Sequence, residues 1–356
     1  MKPLSILQYR VDDRSYPRNS RIRSSLRSAG HRVAVHDRSR ATSLVRRALV
    51  DLRSLIIDSR GADVIVVSEF SLPFVPFAWA VAKARRAVLV VDCFVFRYET
   101  TVLDWGARSP RSLRAWIYRL IDWWSVALAD VVLVDTRVRA ARIRSGGRRR
   151  QVALSLPVGA PGWVSASPHS EGSPLRVLFY GSYLPLHGVP TIVRALIELR
   201  DEDVRFTFVG TAQHDGGVQD MRRLADEGGA AHLCRFLDAV PVMELDRLLA
   251  EHDVVLGVFG GSEKAGSVIA NKVWQGLAAG RVVVTRESPA LDEIRDLVGD
   301  QLRTVPPEDP LRLASQLRRL LAEEPSDYTG ASASLEQYVT SEFECFLGEL
   351  ERRARR

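Results

Sequence analysis

Ten short apolar runs that alternate with stretches of helical periodicity constrain this chain more than any other feature of its sequence. In order, the runs are LSILQY, RVAVHD, DVIVVSEF, AVLVVDCF, DVVLVDT, LRVLFYGSY, RFTFVGT, HLCRFLDAV, DVVLGVFG and RVVVT. Most of them are apolar at successive positions, which is typical of strands buried on both faces of a parallel sheet. The alternation predicts an α/β fold in which helices cover both sides of each sheet.

A connection rich in Gly, Pro and Ser divides the ten runs into two sets of five. We predict a first doubly wound domain over residues 1–160, a linker over 161–174 and a second doubly wound domain over 175–334. A chain of 356 residues is too long for one ordinary core and suits two domains. In such sheets ligands bind at the carboxyl ends of the strands, so the loops that follow the strands are the expected site positions.

The charge of the chain is distributed unevenly. Residues 1–160 hold 29 basic and 13 acidic side chains, a net charge of +16, whereas the remainder carries −9. A membrane surface or a phosphate-bearing acceptor would suit the basic half. Because 46 of the 50 basic residues are arginines, a GC-rich genome is an alternative explanation. A nucleic-acid partner is not expected, since the basic run RIRSGGRRR has no interleaved aromatic residues and no known binding module is present.

Cysteine and histidine usage offers no metal-binding pattern. The three cysteines are scattered and odd in number, which favours reduced thiols in a cytoplasmic protein. The seven histidines form no cluster, so we expect no metal and no other cofactor. The longest apolar run, residues 72–82, contains two prolines and is too short to span a membrane. The expectation is a cytoplasmic protein, with peripheral contact at the inner face of the membrane left open.

A tryptophan-rich segment, RSLRAWIYRLIDWWSVALAD, bears on that membrane contact. One helical face carries Trp116, Leu120, Trp123 and Ala127, and three arginines flank it, namely Arg111, Arg114 and Arg119. Such a stripe is most often part of a protein core. Its arginine flanks are also typical of a helix that lies in a membrane interface.

The segment SEKAGSVIANKVWQGLAAG predicts a buried helix in the second half. Ile269, Val273 and Leu277 share one helical face, and Gly280 lies where a C-terminal cap is expected. We predict that this helix begins near Gly266. The prediction places the helix directly after the run DVVLGVFG, at the carboxyl end of a strand.

The start of that predicted helix has the features of an anion site. Unpaired backbone N–H groups and the positive end of the helix dipole gather there. Gly266, Ser267 and Val268 would offer N–H groups to a phosphate. Lys272 would supply charge, and Asn271 and Gln275 would form hydrogen bonds to hydroxyl groups.

A second strand-to-helix junction, YGSYLPLHGVPTIVRAL, has the same character. Its polar and glycine positions are Gly181, Ser182, His187 and Gly188. Two phosphate-sized sites at neighbouring strand ends suit a diphosphate-linked ligand. The alternative is that these glycines only permit turns.

On these motifs the second half resembles the nucleotide-binding domain of retaining GT-B glycosyltransferases of the large nucleotide-sugar-dependent family 4 (glycosyl transferases group 1). A bacterial branch with a SEKA…NKV pattern is the most similar. The first half resembles that branch in YPRN, DCFVFRYETTVLD and ADVVLVDT. The resemblance implies a GT-B architecture of two Rossmann-like domains that face each other across a cleft, with a terminal helix over residues 335–356 that packs back onto the first domain.

The resemblance also implies an activity. The chain would transfer a hexose from a nucleoside-diphosphate sugar, expected to be UDP-linked, to an acceptor hydroxyl, with retention of anomeric configuration and without a metal. Acceptors would be glycan, lipid-linked or secondary-metabolite intermediates of polysaccharide or glycoconjugate biosynthesis. Two alternatives stay open: a non-catalytic nucleotide-sugar-binding scaffold, and a sugar-nucleotide epimerase of the same fold.

Those alternatives arise because the chain departs from the family pattern. Ser267 and Gln275 occupy the positions of two glutamates eight residues apart, and Glu263 replaces the first only if the loop holds an insertion. Ser182 and His187 occupy the places of the diphosphate-binding arginine and lysine. Compensation is expected from three basic residues: Lys264, Lys272, and Arg18, which would reach across the cleft.

The resemblance assigns roles to further residues by their positions. The catalytic set is Asp92, Glu99, Glu263 and Lys272. The donor-binding set is Arg18, Asn19, Gly181, Ser182, His187, Gly188, Gly210, Leu237, Lys264, Gly266, Ser267, Val268, Asn271 and Gln275, with base and hexose selected near Gly210 and Leu237. The acceptor side is Tyr16, Arg97 and Tyr98.

Overall fold

The structure is a computed structural model that describes residues 2–40, 43–146, 151–168, 174–211, 217–324 and 326–355. The chain divides into two compact units. Unit 1 comprises Met1–Val158 and Val339–Arg356, and unit 2 comprises Gly159–Tyr338. Part of the predicted linker, residues 169–173, lies outside the described residues.

Unit 1 alternates strands and helices along the chain. Its elements are β1 (Ser5–Val11), α1 (Pro17–Ser28), β2 (Arg32–Asp37), α2 (Leu44–Asp58), β3 (Val64–Val67), α3 (Val75–Arg85), β4 (Val88–Asp92), α4 (Leu113–Ala127), β5 (Val131–Val134), α5 (Arg137–Gly146) and β6 (Val152–Ser155). A π-helical turn, Glu99–Asp104, lies between β4 and α4.

The six strands of unit 1 form one parallel sheet in the order β2-β1-β3-β4-β5-β6. Every residue of β3, β4 and β5 is buried, because helices cover both faces of the sheet centre. Strand β2 differs: no residue in it is fully buried, since it is an edge strand. The prediction of strands buried on both faces is therefore confirmed for the centre of the sheet.

Unit 2 repeats this organisation. Its elements are β7 (Leu175–Tyr180), α6 (Val189–Glu198), β8 (Val204–Val209), α7 (Gly217–Glu227), β9 (Cys234–Leu237), α8 (Val242–Glu251), β10 (Val254–Leu256), α9 (Asn271–Ala278), β11 (Val282–Arg286), α10 (Asp292–Val298), β12 (Leu302–Val305) and α11 (Pro310–Ala322).

The strand order of unit 2 is β12-β11-β10-β7-β8-β9, and its direction reverses between β7 and β10. From β7 the chain winds outward through β8 and β9, then returns to place β10 on the other side of β7. The loops that leave β7 and β10 therefore diverge at this switch point. In open α/β sheets a crevice for ligands forms there.

The last helix, α12 (Ala331–Ala354), passes from one unit to the other in sequence. From Val339 onward it belongs to unit 1. There Glu342 accepts a 2.5 Å hydrogen bond from Arg137, and Glu351 lies 3.4 Å from His31. Its buried apolar positions include Phe343, Phe346 and Leu350.

Candidate functional site

Helix α9 begins later than the sequence predicts. Its first residue is Asn271 and Ala270 is the N-cap, so the predicted start near Gly266 is wrong by about one turn. Gly266 and Ser267 belong instead to a preceding turn, in which their N–H groups donate to the carbonyls of Ser262 and Lys264. These two N–H groups are thus already bonded within the chain, and the prediction that they face a phosphate is corrected.

The N–H groups next along the chain meet the predicted condition. Within the described residues, no hydrogen-bond acceptor is found for the N–H groups of 268–272. Val268, which was predicted to offer its N–H group, is among these donors, and the predicted side-chain role of Asn271 stays a prediction. The positive end of the α9 dipole lies here as well, which favours an anion.

Lys272 is the charged residue of this site. Its side chain is buried, and Nζ lies 4.2 Å from the centre of the Phe179 ring with no hydrogen-bond partner among the described residues. Burial lowers the pKa of Lys272 to about 7. A buried ammonium without a partner is costly, because its lost hydration is not replaced.

Two glycines bring the ends of β7 and β8 close to that ammonium. Gly181 follows β7 with a φ of +129°, and a Cβ there would lie 3.3 Å from Lys272 Nζ. Gly210 follows β8 with a φ of +136°, and a Cβ there would lie 2.2 Å from the Gly181 carbonyl oxygen. The positive φ favours glycine at both positions, and at Gly210 the close approach to the Gly181 backbone also excludes a Cβ.

His187 lies on the other side of Gly181. Its Nδ1–H donates to the Ser182 carbonyl, and its ring packs edge-on against Phe179. Burial, followed by the charge of Lys272, holds the pKa of His187 far below its ordinary value. The imidazole is therefore neutral, and with Nδ1 donating, its Nε2 is an acceptor rather than a cation. In this state His187 offers a neutral acceptor and not a positive charge, and its predicted role at a diphosphate stays a prediction.

Gln275 lies one turn after Lys272 on α9. Its Oε1 accepts a 2.7 Å hydrogen bond from the Tyr180 hydroxyl, at the end of β7. The amide nitrogen still carries two N–H donors. Tyr180 fixes the orientation of the amide, and sequence spacing did not reveal this partner. The predicted role of Gln275 at a ribose stays a prediction.

The remaining predicted donor residues lie around these groups. Gly188, with a φ of +62°, packs against the backbone of Gly260, and Leu237 accepts from the N–H of Gly210. Glu263 is exposed, and Lys264 is half-buried on the turn before α9. Their functional roles stay predictions.

Arg286, at the end of β11, was missed from the sequence. Its Nη1 donates to the Gly260 carbonyl at 2.6 Å and lies 3.3 Å from the Ser262 carbonyl. It therefore fixes the turn that precedes α9. The sequence could have indicated Arg286, because it directly follows the predicted strand RVVVT, at a position where site residues are expected.

Unit 1 gathers a second polar cluster at the carboxyl ends of its strands. Arg18 forms a bidentate pair with Asp92, with distances of 2.7 Å and 2.8 Å, and both side chains are 1% exposed. Arg18 also donates to the carbonyls of Leu156 and Val134. Its N–H groups thus serve the interior of unit 1, and the predicted contact of Arg18 with a donor stays a prediction. Asp92 is likewise a buried ion-pair partner within unit 1, and its predicted catalytic role stays a prediction.

Asn19 and Glu69 extend this cluster. Asn19 donates to Glu69 Oε1 at 2.6 Å, and its predicted contact with the donor stays a prediction. Burial, followed by the charge of Asp92, raises the pKa of Glu69 to about 7. Glu69 Oε2 is buried without a hydrogen-bond partner among the described residues. Sequence reasoning missed Glu69, although it follows β3 within the run DVIVVSEF.

The predicted acceptor side is held by carboxylates. Glu99 accepts from Arg139 at 2.7 Å, and Asp122 accepts from the backbone N–H groups of Arg97 and Tyr98 at 2.8 Å. Burial raises the pKa of Asp122 to about 6. Glu99 therefore neutralises a buried arginine, which its predicted catalytic role did not anticipate. The Tyr16 ring packs near Phe70 and Phe94, and the acceptor roles of Tyr16, Arg97 and Tyr98 stay predictions.

Metal-binding side chains do not come together in the part of the chain that the structure describes: no group of three or more His, Cys, Asp or Glu residues is found there. Likewise, none of the described helices is both long enough and apolar enough to cross a membrane.

Comparison with known proteins finds a family to which unit 2 is similar. Residues 174–323 match the sequence profile of the family described as Glycosyl transferases group 1. That segment contains Lys272, Gly181, His187 and Gln275. No curated protein matches the chain.

Solved structures match both units together. Sucrose-phosphate synthase from Thermosynechococcus elongatus is 15% identical, covers 99% of each chain and has a TM-score of 0.74. Alr3699/HepE of Anabaena in complex with UDP-glucose is 14% identical, covers 98% of this chain and 100% of its own, and has a TM-score of 0.68. A putative UDP-N-acetylglucosamine 2-epimerase from Listeria monocytogenes is 12% identical, covers 96% and 97%, and has a TM-score of 0.53. The predicted fold is confirmed: the chain has the GT-B architecture of two Rossmann-like units.

Proposed function

We propose that this chain is a glycosyltransferase that binds a UDP-hexose through unit 2 and transfers the hexose to an acceptor hydroxyl with retention of configuration. The observation that carries the proposal is the buried ammonium of Lys272, for which the described residues supply no hydrogen-bond partner and which lies beside Gly181 at the switch point of the sheet. A diphosphate would supply the missing counter-charge. The group 1 profile over the same residues supports this assignment, and so does the UDP-glucose complex of the Anabaena neighbour.

Electrostatics explains what the site would contribute to transfer. When the bond between the sugar and the diphosphate breaks, negative charge grows on the leaving phosphate. Lys272 and the free N–H groups at the start of α9 are already in place, so they stabilise that charge without reorganisation. In the proposed reaction no metal is needed, and EDTA should leave the rate unchanged.

Gln275 would bind the nucleotide rather than take part in the chemistry. Its amide is oriented by Tyr180 and offers N–H donors to a ribose hydroxyl. A carboxylate would make that bond stronger, since charge-assisted hydrogen bonds exceed neutral ones. Glutamine therefore weakens the contact without removing it.

The test begins with a panel of nucleotide sugars in thermal-shift measurements. A ligand at a hundred times its Kd stabilises a protein by about 2.7 kcal/mol, which is readily detected. We expect UDP and a UDP-hexose to stabilise the chain and the Lys272→Met variant to respond much less. Stabilisation by no nucleotide sugar would contradict the proposal.

Product analysis distinguishes transfer from the two alternatives. A transferase releases UDP only in the presence of an acceptor or, slowly, water, and the anomeric proton in the NMR spectrum reports retention. An epimerase converts the sugar nucleotide without any acceptor. This alternative is tested because one structural neighbour is a putative epimerase from Listeria monocytogenes. A scaffold binds the donor and never releases UDP. The acceptor panel should include glycan, lipid-linked and small-molecule hydroxyl compounds.

A further inference from the structure

Helices α2, α3 and α4 form one layer on unit 1. Helix α3 contacts both of the others, and the three helices connect β2 to β3, β3 to β4 and β4 to β5. Since successive crossovers in the same direction place their helices on one face of a parallel sheet, the outward sides of these helices make a continuous surface. We call it the α2–α4 face.

That face carries most of the exposed large apolar side chains found among the described residues, 11 of 17. They are Val45, Leu49, Val50, Ile56, Ile57, Phe77, Trp79, Leu113, Trp116, Ile117 and Trp123. Scattered single apolar residues on a surface are ordinary, but a concentration on three adjacent helices marks a binding surface.

The tryptophan stripe of α4 is a surface feature rather than core. Trp116 is 60% exposed and Trp123 is 61% exposed. Leu113, one turn before Trp116, is 73% exposed. The opposite side of the helix supplies the core through Ala115 and Ile121. The sequence left two interpretations of the stripe open, a core face and a membrane-interface face. Because both tryptophans are exposed, the core interpretation is wrong for them.

Charge on the α2–α4 face is strongly one-sided. The three helices contain seven basic residues and three acidic ones. Asp51 is buried against Arg10, and the carboxylate of Asp122 accepts two backbone N–H groups. Only Asp58 is an exposed acidic residue there, and it lies 3.3 Å from His36. Just beyond α4, Asp130 pairs with Lys83 at 3.2 Å. The outward sides of the three helices therefore carry mainly apolar and basic side chains.

We propose that the α2–α4 face docks on an anionic lipid bilayer, with Leu113, Trp116 and Trp123 inserted at the interface. Large exposed apolar side chains gain by leaving water for the acyl boundary, and tryptophan favours the headgroup level. Arginines around them pair with anionic headgroups. The helices lie in the interface plane and do not span, in agreement with their length and composition. A second copy of the chain is a less suitable occupant, because two such basic faces repel each other.

The experiment compares binding of the full chain to vesicles of phosphatidylcholine with and without phosphatidylglycerol, by sedimentation at low and high salt. The test variants are Trp116→Gln/Trp123→Gln and Arg46→Gln/Arg114→Gln. Their matched controls on unit 2 remove equally exposed residues: Val242→Gln/Met243→Gln on α8 and Arg312→Gln/Arg319→Gln on α11. Thermal unfolding checks that every variant folds.

We expect binding to anionic vesicles only, weakened by salt and reduced at least about tenfold by each test variant but not by its control. Brominated lipid should quench the tryptophan fluorescence of the wild-type chain and of the α8 control. Three results would overturn the proposal: no binding to anionic vesicles at low salt, binding that the tryptophan variant retains, or a concentration-dependent dimer that the tryptophan variant abolishes.

Discussion

Lys272 Nζ lies 4.2 Å above the centre of the Phe179 ring, and the ring is the one attractive partner found for its charge within the described residues. A cation over an aromatic face recovers only part of the hydration that it loses on burial. The lysine thus costs stability in the free protein. A diphosphate would turn this cost into binding free energy.

Lys272→Met should therefore separate stability from binding. We expect the variant to bind UDP more weakly by about 1.5–3 kcal/mol, since a charged hydrogen bond is lost. Isothermal titration calorimetry measures that change as a rise in Kd of roughly 10- to 100-fold. Lys83→Met, which removes an exposed lysine from α3, is the control and should leave Kd unchanged.

The same variant should unfold at a higher temperature than wild type. The native pKa of Lys272, about 7, lies below its ordinary value, so the unfolded chain binds more protons between the two values. The free energy of unfolding consequently rises with pH between the native and the ordinary pKa of Lys272. The destabilisation by the buried ammonium has its full size below pH 7. The stabilisation by methionine should be largest at pH 6 and shrink toward pH 9. Equal or lower stability at pH 6 would show that the ammonium is paired.

Donor binding should take up a proton at pH 8. At that pH most Lys272 side chains are neutral, because the pKa is about 7, and a bound diphosphate favours the charged form. Calorimetry with UDP-glucose in buffers of different ionisation enthalpy should show an uptake approaching one proton at pH 8 and little at pH 6. In Lys272→Met the heat should not depend on the buffer.

Gly181→Ala should weaken donor binding by displacing the lysine. The new Cβ would lie 3.3 Å from Lys272 Nζ, and the φ of +129° would add strain. Gly30→Ala provides a matched control, because Gly30 has a φ of +83° with open space around it. Both variants should lose roughly 1 kcal/mol of stability, and only Gly181→Ala should raise the Kd for UDP. Equal Kd values would mean that Gly181 serves the turn alone.

A feature of the fold or of the site can be predicted from the sequence when neighbouring residues determine it, and cannot when residues far apart in the chain determine it. Ten of the twelve strands in the described part of the chain were predicted from their apolar runs. The two that were missed, Val152–Ser155 and Leu302–Val305, have four residues each and lie at sheet edges. Local composition identified every central strand, whereas of the four edge strands it identified β2 and β9 and missed these two.

The position of α9 shows a second limit. Gly266 and Ser267 look like residues that open a helix, yet their N–H groups close a separate turn with Ser262 and Lys264. Arg286, at the end of β11, holds the chain before that turn by donating to the carbonyls of Gly260 and Ser262. Tertiary contacts of this kind are invisible to periodicity. Lys272 and Gln275 were nevertheless identified, because their helical spacing is the same in either case.

Gln275→Glu should bind UDP as well as wild type or better. The Tyr180 hydroxyl can donate to a carboxylate as it does to the amide, and a carboxylate accepts a stronger bond from a ribose hydroxyl. Gln275→Leu, of similar size, should lose about tenfold in Kd, since one buried hydrogen bond is worth about 1 kcal/mol. A folded Gln275→Glu protein that no longer binds UDP would show that this face of α9 has another role.

The pair of Arg18 and Asp92 should behave as a structural unit. The two residues are 74 positions apart in the sequence, so no spacing rule connects them, and this is why each was given a separate functional role. Removing either partner leaves a buried charge without compensation, at a cost of about 3–5 kcal/mol. Asp92→Asn and Arg18→Met should each lower the free energy of unfolding, measured by urea denaturation, by an amount in that range. Replacement of both by apolar residues, Arg18→Met/Asp92→Leu, should cost far less than the sum of the single changes, because no charge is then left unpaired. Wild-type stability of Asp92→Asn, or a double variant without coupling in stability, would contradict this structural role.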